Sequence, residues 1–373
     1  MEAVLLAKKA GYDTLVVDRR SEAPALSICD EAVVGNPLSD DGCIDALKEC
    51  DAVIPACEEI DLLQKLDGSL SGTGVPFLFD LRSYRVSSSK LESNEIMARA
   101  GVALPKPWPE CGFPVIVKPS SQSGSVGVSV AYSQEDIESG LVKVRELGDE
   151  AVIQEFVHGR SLSVEVIGNG REAESYVTTE VVLDQGYDCK MVRCSPDILS
   201  TDEDKAFGEM AQKTARMLGL NGLMDLEAID TPKGLRVLEI DARIPSQTPA
   251  AIQAATGVNL LEELYLSRTD GLRVPVRKDG ASIYWHIHFK DGYLRATGEK
   301  EFSHVRNPVM TQGLFGSSDS ISDYRPGSTE WHGTFIVKGT DAEDADRRYR
   351  QVMDRMVKET GASGFLDSIP KVI

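Results

Sequence analysis

Little in this sequence supports a disulfide framework or a zinc-binding module. Its seven cysteines include no C-x-x-C pair and no regular spacing, and their odd number suits reduced thiols in a cytoplasmic protein. Cys43, Cys50 and Cys57 recur every seven residues, but Cys57 lies beyond a predicted strand, so the recurrence reads as coincidence. Of the five histidines, His286 and His288 share a strand face without a third ligand near them in sequence, so a structural role is expected there rather than zinc. Basic charge is outnumbered: 40 Lys and Arg stand against 59 Asp and Glu, for a net charge of −19. Such a field repels polyanions and excludes a general nucleic-acid or membrane-surface binder. No apolar run reaches membrane-spanning length, and the opening residues lack a signal-peptide pattern. No G-K-[ST] motif opens a helix, which excludes a P-loop.

What is present is an enzyme-like composition, 42% hydrophobic and 27% charged, in a chain long enough for two or three subdomains. Residues 1–86 alternate helix and strand: a helix over 3–10, strands over 14–17 and 52–55, and a short one over 77–79. That alternation predicts an open parallel α/β layer. The layer begins on the helix that would ordinarily follow a first strand and glycine-rich turn, so its missing first strand is expected upstream of Met1.

Residues 87–157 read as a second unit. Ser89 caps a helix running to about Arg99, and Pro105, Pro107 and Pro109 stiffen the connector after it. The strand 114–118 delivers Lys118, and the loop 120–127, SSQSGSVG, returns into a strand over 128–132. Glycines let backbone N–H groups approach phosphate closely, and serines add donors. With Lys118 before it and Lys90 upstream, a phosphate lid of Ser120, Ser121, Ser123, Gly124, Ser125 and Gly127 is favoured over a plain flexible turn. A helix over 134–147 and a strand over 151–154 lead into Glu155, Phe156 and Val157. Together with Gln154 these form a hinge whose backbone can read a flat heterocycle.

Residues 158–373 carry the acidic chemistry. Glu165 alternates with Ser163 and Ile167 on one strand, and a helix over 202–218 follows, with Thr201 at its cap and Gly219 at its stop. The strand 224–229 places Asp225 and Glu227 on one face, and a tight turn over 231–234 leads into VLEIDARIPSQTP, residues 237–249. Glu239 and Asp241 share a face there, Arg243 continues the alternation, and Glu227 can point at the same spot. An isolated E-x-D-x-R is more often a solvated strand, but three carboxylates from adjacent strands suffice for Mg2+ bridged by phosphate oxygens. Residues 272–340 are strand-like with many turns, and 341–360 form a charged amphipathic helix.

Lys90, Lys118, the 120–127 loop, the 154–157 hinge, Glu227, Glu239, Asp241 and Arg243 occur in the order and spacing of the ATP-grasp carboxylate–amine ligases. The segments LFDLRSYRVS, YDCKMV and GLRVLEIDARIPSQTP resemble the pyrrolysine-biosynthesis ligases of that family, over residues 1 to about 270. The resemblance implies an α/β ATP-grasp fold in which two antiparallel α+β lobes clasp ATP behind the N-terminal parallel domain. It makes 87–157 the small lobe, and 158–373 the large lobe with a β-rich C-terminal extension. It further implies that Lys90, Lys118 and the loop hold the phosphates, and that the hinge reads adenine. Ser161 stands where many members place a ribose-binding glutamate, so that contact would fall to Gln154 or Glu155. Glu227, Glu239 and Asp241 would bind Mg2+, and Arg243, with Lys118, would stabilise the transferred phosphoryl group. The implied substrates are 3-methyl-D-ornithine, activated at its α-carboxylate, and L-lysine, attacking through its ε-amine. Their ammonium groups need carboxylates, for which Glu58, Glu165 and Asp188 are candidates. Arg243, Ser246, Gln247 and Thr248 would stand near the reacting carboxylate. A ligase for other amino acids, or a nucleotide-binding protein without chemistry, are the alternatives.

Overall fold

The structure is a computed structural model, and it describes residues 1–370 apart from 125 and 275–277. Short apolar runs interrupted by polar turns give the first part of the chain small elements. Helix α1 (Glu2–Lys9) buries Val4, Leu5 and Leu6. Strands β1 (Leu15–Asp18) and β2 (Glu31–Val34) pair in parallel, with Val16 opposite Ala32. Helix α2 (Asp41–Lys48) begins where Asp40 accepts the Gly42 amide, and α3 (Ile60–Leu70) buries Leu63, Leu66 and Leu70 at helical spacing. The strands expected at 52–55 and 77–79 reduce to one parallel bridge between Val53 and Phe77, because only Val53 exchanges backbone hydrogen bonds across it. Helix α4 (Leu81–Ser87) was not anticipated. Its seven residues are too few to register a period, and its start depends on Asp80 accepting the Arg82 and Ser83 amides.

Helix α5 (Lys90–Arg99) starts at the Ser89 cap, as expected. Strands β3 (Val115–Pro119), β4 (Ser129–Ala131) and β5 (Ala151–Glu155) form an antiparallel sheet in the order β4-β3-β5. Helix α6 (Gln134–Glu146) lays Ile137 and Val144 against Val115, Val117 and Ala131 on one face of that sheet.

The remaining strands build a second, larger sheet: β6 (Arg160–Asn169), β7 (Ala173–Leu183), β8 (Cys189–Cys194), β9 (Asn221–Thr231), β10 (Gly234–Asp241), β11 (Ala281–Lys290), β12 (Tyr293–Ala296), β13 (Val309–Thr311), β14 (Asp319–Ser322), β15 (Trp331–Gly339) and β16 (Gly364–Leu366). Their order is β10-β9-β6-β7-β8-β11-β15-β14-β13, with β12 on the far end of β11 and β16 beside it. Neighbours run antiparallel except β12 and β16. Helix α7 (Thr201–Leu218) covers one face, packing Phe207, Ala211 and Ala215 on Leu162, Val164 and Leu226. Its cap is Ser200 and not Thr201: Ser200 accepts the Glu203 amide while Glu203 returns to the Ser200 amide, a reciprocal capping box. Helices α8 (Thr248–Thr256) and α9 (Leu260–Thr269) cover the opposite face near Ile167 and Leu223. Helix α10 (Glu299–Phe302) is one turn long, and α11 (Ala342–Thr360) backs β11 and β15. Among the described residues no helix is long and apolar enough to cross a membrane.

The two sheets are joined through Gly159, which sits at φ +152° against the β9–β10 turn. A Cβ there would lie 2.0 Å from the Asp230 carbonyl oxygen, so only glycine allows this approach. Gly159→Ala is expected to destabilise the chain by at least about 2 kcal/mol. Thermal melts followed by circular dichroism read this directly, and an unchanged midpoint would show that the linker can move clear of β9.

Candidate active site

The β9–β10 hairpin places acids opposite one another. Glu227 pairs with Glu239 and Asp225 with Asp241, while on the other flank of β9 Ser163 pairs with Glu227 and Glu165 with Asp225. Residues directly opposite in an antiparallel ladder share a face. Glu165, Asp225, Glu227, Glu239 and Asp241 therefore crowd one patch of the large sheet. A bulge between Val237 and Glu239 makes this possible. It keeps Val237 and Ile240 together in the core beneath, while Glu239 and Asp241 emerge on the cleft side.

Three cations face the patch. Lys90, the first residue of α5, puts Nζ 3.0 Å from Glu239 Oε2. Lys118, buried at the end of β3, contributes its charge to Glu239 as well. Arg243 lies just beyond β10, with Nε 2.7 Å from Glu58 Oε1 and 2.9 Å from Asp241 Oδ2, without hydrogen-bond alignment to either. Burial pushes Glu165 up to about 7, opposed by the Thr248 and Ser163 hydroxyls beside it. Burial and then the neighbouring Glu239 push Glu227 up to about 7, and burial raises Asp241 to about 6 against the pull of Arg243. Asp225 is raised too, by burial and then by Glu227. Burial acts on Glu239 in the same sense, but Lys90 and Lys118 outweigh it and hold this carboxyl below its ordinary value. Burial lowers the Lys118 ammonium, with Glu239 opposing.

This patch holds more negative charge than its partners cover. Glu165 Oε2 and Asp225 Oδ1 are buried without a hydrogen bond among the described residues. An all-oxygen donor set with uncompensated charge fits a hard divalent cation such as Mg2+. Glu227 and Glu239, facing each other across the ladder, are the pair that would hold it. Asp241 is turned to Arg243 instead, so the three acids are not gathered into one ready-made ligand trio.

The glycine-rich loop lies over these groups and is tied down at three points. Lys90 Nζ donates to the Gln122 carbonyl at 2.9 Å, Ser123 Oγ donates to Glu58 Oε2 at 2.7 Å, and Lys300 Nζ donates to the Gly124 carbonyl. The serines expected to face phosphate are committed elsewhere. Ser121 donates through N–H and Oγ to Asp149, and Ser120 joins the loop to α5 by accepting the Lys90 amide. Gly124 and Gly127 adopt positive φ, as a tight turn requires, and Ser125 lies outside the described residues. At the hinge, Gln154 continues the β3 ladder, the Glu155 amide donates to the Lys106 carbonyl, and the Phe156 amide donates to the Pro114 carbonyl. Those two amides are not free to read a base, which leaves carbonyls and Val157 for that task.

Two expected substrate contacts have partners within the chain. Asp188 accepts the Lys300 amide at 2.9 Å and so anchors α10. Gln247 is buried, with Nε2 3.0 Å from His286 Nε2. Thr248 sits beside Glu165, and Ser246 beside Glu299. Glu299 and Lys300 were not singled out, because a short charged stretch after a strand carries no motif. Asp225 was placed on the right face without a role; its alternation with Glu227 was the signal for one.

An ATP-grasp domain family matches residues 87–247. A curated relative from Methanosarcina mazei, named 3-methyl-D-ornithine–L-lysine ligase, is 32% identical over 366 residues, which is 97% of this chain and 94% of that protein. The protein of the same name from Methanosarcina barkeri is 34% identical over 308 residues, covering 81% and 80%. Among solved structures, the biotin carboxylase domain of Hydrogenobacter thermophilus 2-oxoglutarate carboxylase, in complex with MgADP, ADP and bicarbonate, superposes with a TM-score of 0.71. That match spans 94% of this chain and 86% of that one at 18% identity, a likeness of fold.

Because Glu165 ionises near 7 when folded and near its ordinary carboxylate value when unfolded, its proton stabilises the fold fully in acid. That contribution is lost as pH rises toward 7, and Glu227 acts in the same direction. Metal-free protein is therefore expected to lose stability between pH 5 and pH 8. Glu165→Gln is expected to remove its share, on the order of 3 kcal/mol. Melting curves across that range in chelator check this, and an identical pH slope in the variant would refute the assignment.

Proposed function

The chain belongs to the ATP-grasp family of 3-methyl-D-ornithine–L-lysine ligases, and from that premise we infer how its own residues carry the reaction. It is an ATP- and Mg2+-dependent amino-acid ligase of pyrrolysine biosynthesis, forming an amide between the α-carboxylate of 3-methyl-D-ornithine and the ε-amine of L-lysine. The observation that carries the reading is the convergence of Glu227 and Glu239 with Lys90 and Lys118 beneath the 120–127 loop. Mg2+, when bound, supplies charge neutralisation between these carboxylates and the nucleotide phosphates. Lys90 and Lys118 then bind phosphate oxygens, Lys90 exchanging Glu239 for its new partner. The α-carboxylate of the first amino acid attacks the terminal phosphorus of ATP, ADP leaves, and the lysine amine displaces phosphate from the resulting acyl phosphate. Both steps develop negative charge on oxygen, and Arg243 is the guanidinium placed to meet it.

The substrates carry ammonium groups, and the cleft offers Glu58, Glu165 and Glu299 to receive them. Glu299, within electrostatic reach of Arg243, joins Asp188, the candidate beside it. Burial raises Glu299, so a cationic partner would be needed to ionise it fully. The seven cysteines are all unpaired, which suits a cytoplasmic enzyme.

Incubation with ATP, Mg2+, L-lysine and D-ornithine, a demethylated stand-in for the natural donor, is expected to release ADP and a product of the summed mass less water. ADP release across a panel of other amino acids, with none for this pair, would replace the substrate assignment. Glu239→Gln removes a metal-facing charge worth several kcal/mol in the transition state, so turnover is expected to fall by roughly a hundredfold or more. Near-normal turnover in that variant would contradict its role.

A further inference from the structure

Away from the cleft, the β11–β15 ladder sets His288 directly opposite His332, so both imidazoles leave the sheet on one face. Glu301 of α10 reaches over them. His288 Nδ1 lies 3.0 Å from Glu301 Oε1, and His332 Nε2 lies 3.9 Å from the same oxygen. One ligating atom from each of the three residues lies within 4.8 Å of the others. Bonds of about 2.0–2.1 Å in a tetrahedral zinc site put neighbouring ligand atoms about 3.3 Å apart, so this spacing is already close to what an ion requires.

Two further observations point to a ligand. His332 is only 8% exposed, and its Nε2 is a buried atom with no hydrogen bond among the described residues. A buried polar atom left without a partner is costly, and an ion would supply one. The far side of each ring also meets a carboxylate: His288 Nε2 lies 3.1 Å from Glu330, and His332 Nδ1 lies 3.9 Å from Asp323. Asp323 is itself fixed by accepting the His332 backbone amide at 2.7 Å. Carboxylates behind the imidazoles are what orients metal-bound histidines and sets their tautomer.

We propose that His288, His332 and Glu301 bind one Zn2+, with water in the fourth position. The rings now stack at 4.1 Å with 16° between their planes. Each therefore turns about its terminal torsion to aim its lone pair at the ion, a broad and inexpensive rotation. Two nitrogens and one carboxylate oxygen select zinc over Mg2+, which prefers oxygen alone, so this site and the carboxylate patch do not compete for one cation. The ion would tie Glu301, and with it α10, to β11 and β15. Helix α10 also carries Lys300, the residue that holds the loop at Gly124, and Glu299, which faces Arg243. The zinc is thus a brace for the cleft and not part of its chemistry.

The test uses tag-free full-length protein, stripped with chelator, loaded with Zn2+ in the presence of excess Mg2+ and dialysed. Metal content is measured by mass spectrometry, and Co2+ loading is followed by visible absorption. One zinc per chain is expected in the unaltered protein and in Glu239→Gln, with retention at least tenfold lower in His332→Ala. Glu301→Gln, a substitution at a half-exposed side chain that keeps the fold, is expected to lose the intense visible bands of four-coordinate Co2+ while its circular dichroism is unchanged. Absence of zinc from the unaltered protein would overturn the proposal. So would full retention in both His332→Ala and Glu301→Gln, or a loss of zinc confined to Glu239→Gln.

Discussion

Like charge held on one face of a sheet is the constraint that the rest of this structure answers to. Two unit charges about 5 Å apart repel by about 3 kcal/mol at an effective dielectric of about 20, and the β6–β9–β10 ladders set several acids at that kind of separation. The chain has two ways to live with this. Some of the acids keep their protons to higher pH, as Glu165 and Glu227 do. Others take a cation, as Glu239 does with Lys90 and Asp241 with Arg243. A divalent ion held by Glu227 and Glu239, as proposed, would relieve this repulsion further.

The loop is bound into that network. Lys90 contacts the Gln122 carbonyl and Glu239 at once, and Glu58 contacts both Ser123 and Arg243. The loop is therefore tied through Lys90 to Glu239 and through Glu58 to Arg243. Buried or half-buried ion pairs of this sort add little net stability.

Much of the cleft was legible in the sequence because period-two alternation on a strand is a geometric statement. Glu239 and Asp241 had to share a face, and the short turn at 231–234 had to bring the strand of Glu227 alongside, but it is the bulge after Val237 that sets Glu239 rather than Leu238 opposite Glu227. The cap at Ser89 was equally readable, since a hydroxyl before a helical run satisfies amides that nothing else can, whereas Asp341, read as the first residue of its helix, proves to be the cap. Tertiary partners were not readable. Asp188 gave no sign that it would accept the amide of Lys300, 112 residues away. The serines of the loop looked like phosphate donors until Asp149 and Glu58 took them. His288 seemed to lack further ligands because Glu301 and His332 arrive from a one-turn helix and a separate strand, at spacings that no local motif encodes. The parallel pairing near Val53 was overestimated for the opposite reason: an apolar run states burial, not how many ladder bonds its neighbour will return.

The bulge at β10 shows why such a site needs a departure from regular pairing. In an unbroken strand, Val237, Glu239 and Asp241 would lie on one face, and either a valine would enter the cleft or two acids would enter the core. Burying two unpaired carboxylates would cost far more than one lost ladder bond. The extra residue lets the apolar positions 237 and 240 serve the packing against β9 and β6, while 239 and 241 serve the cleft. The same short stretch thus anchors the core and supplies the charge, so the position of the acids is set by packing that no ligand has to provide. That preorganisation fixes the carboxylates independently of the cations they meet, Lys90 and Arg243.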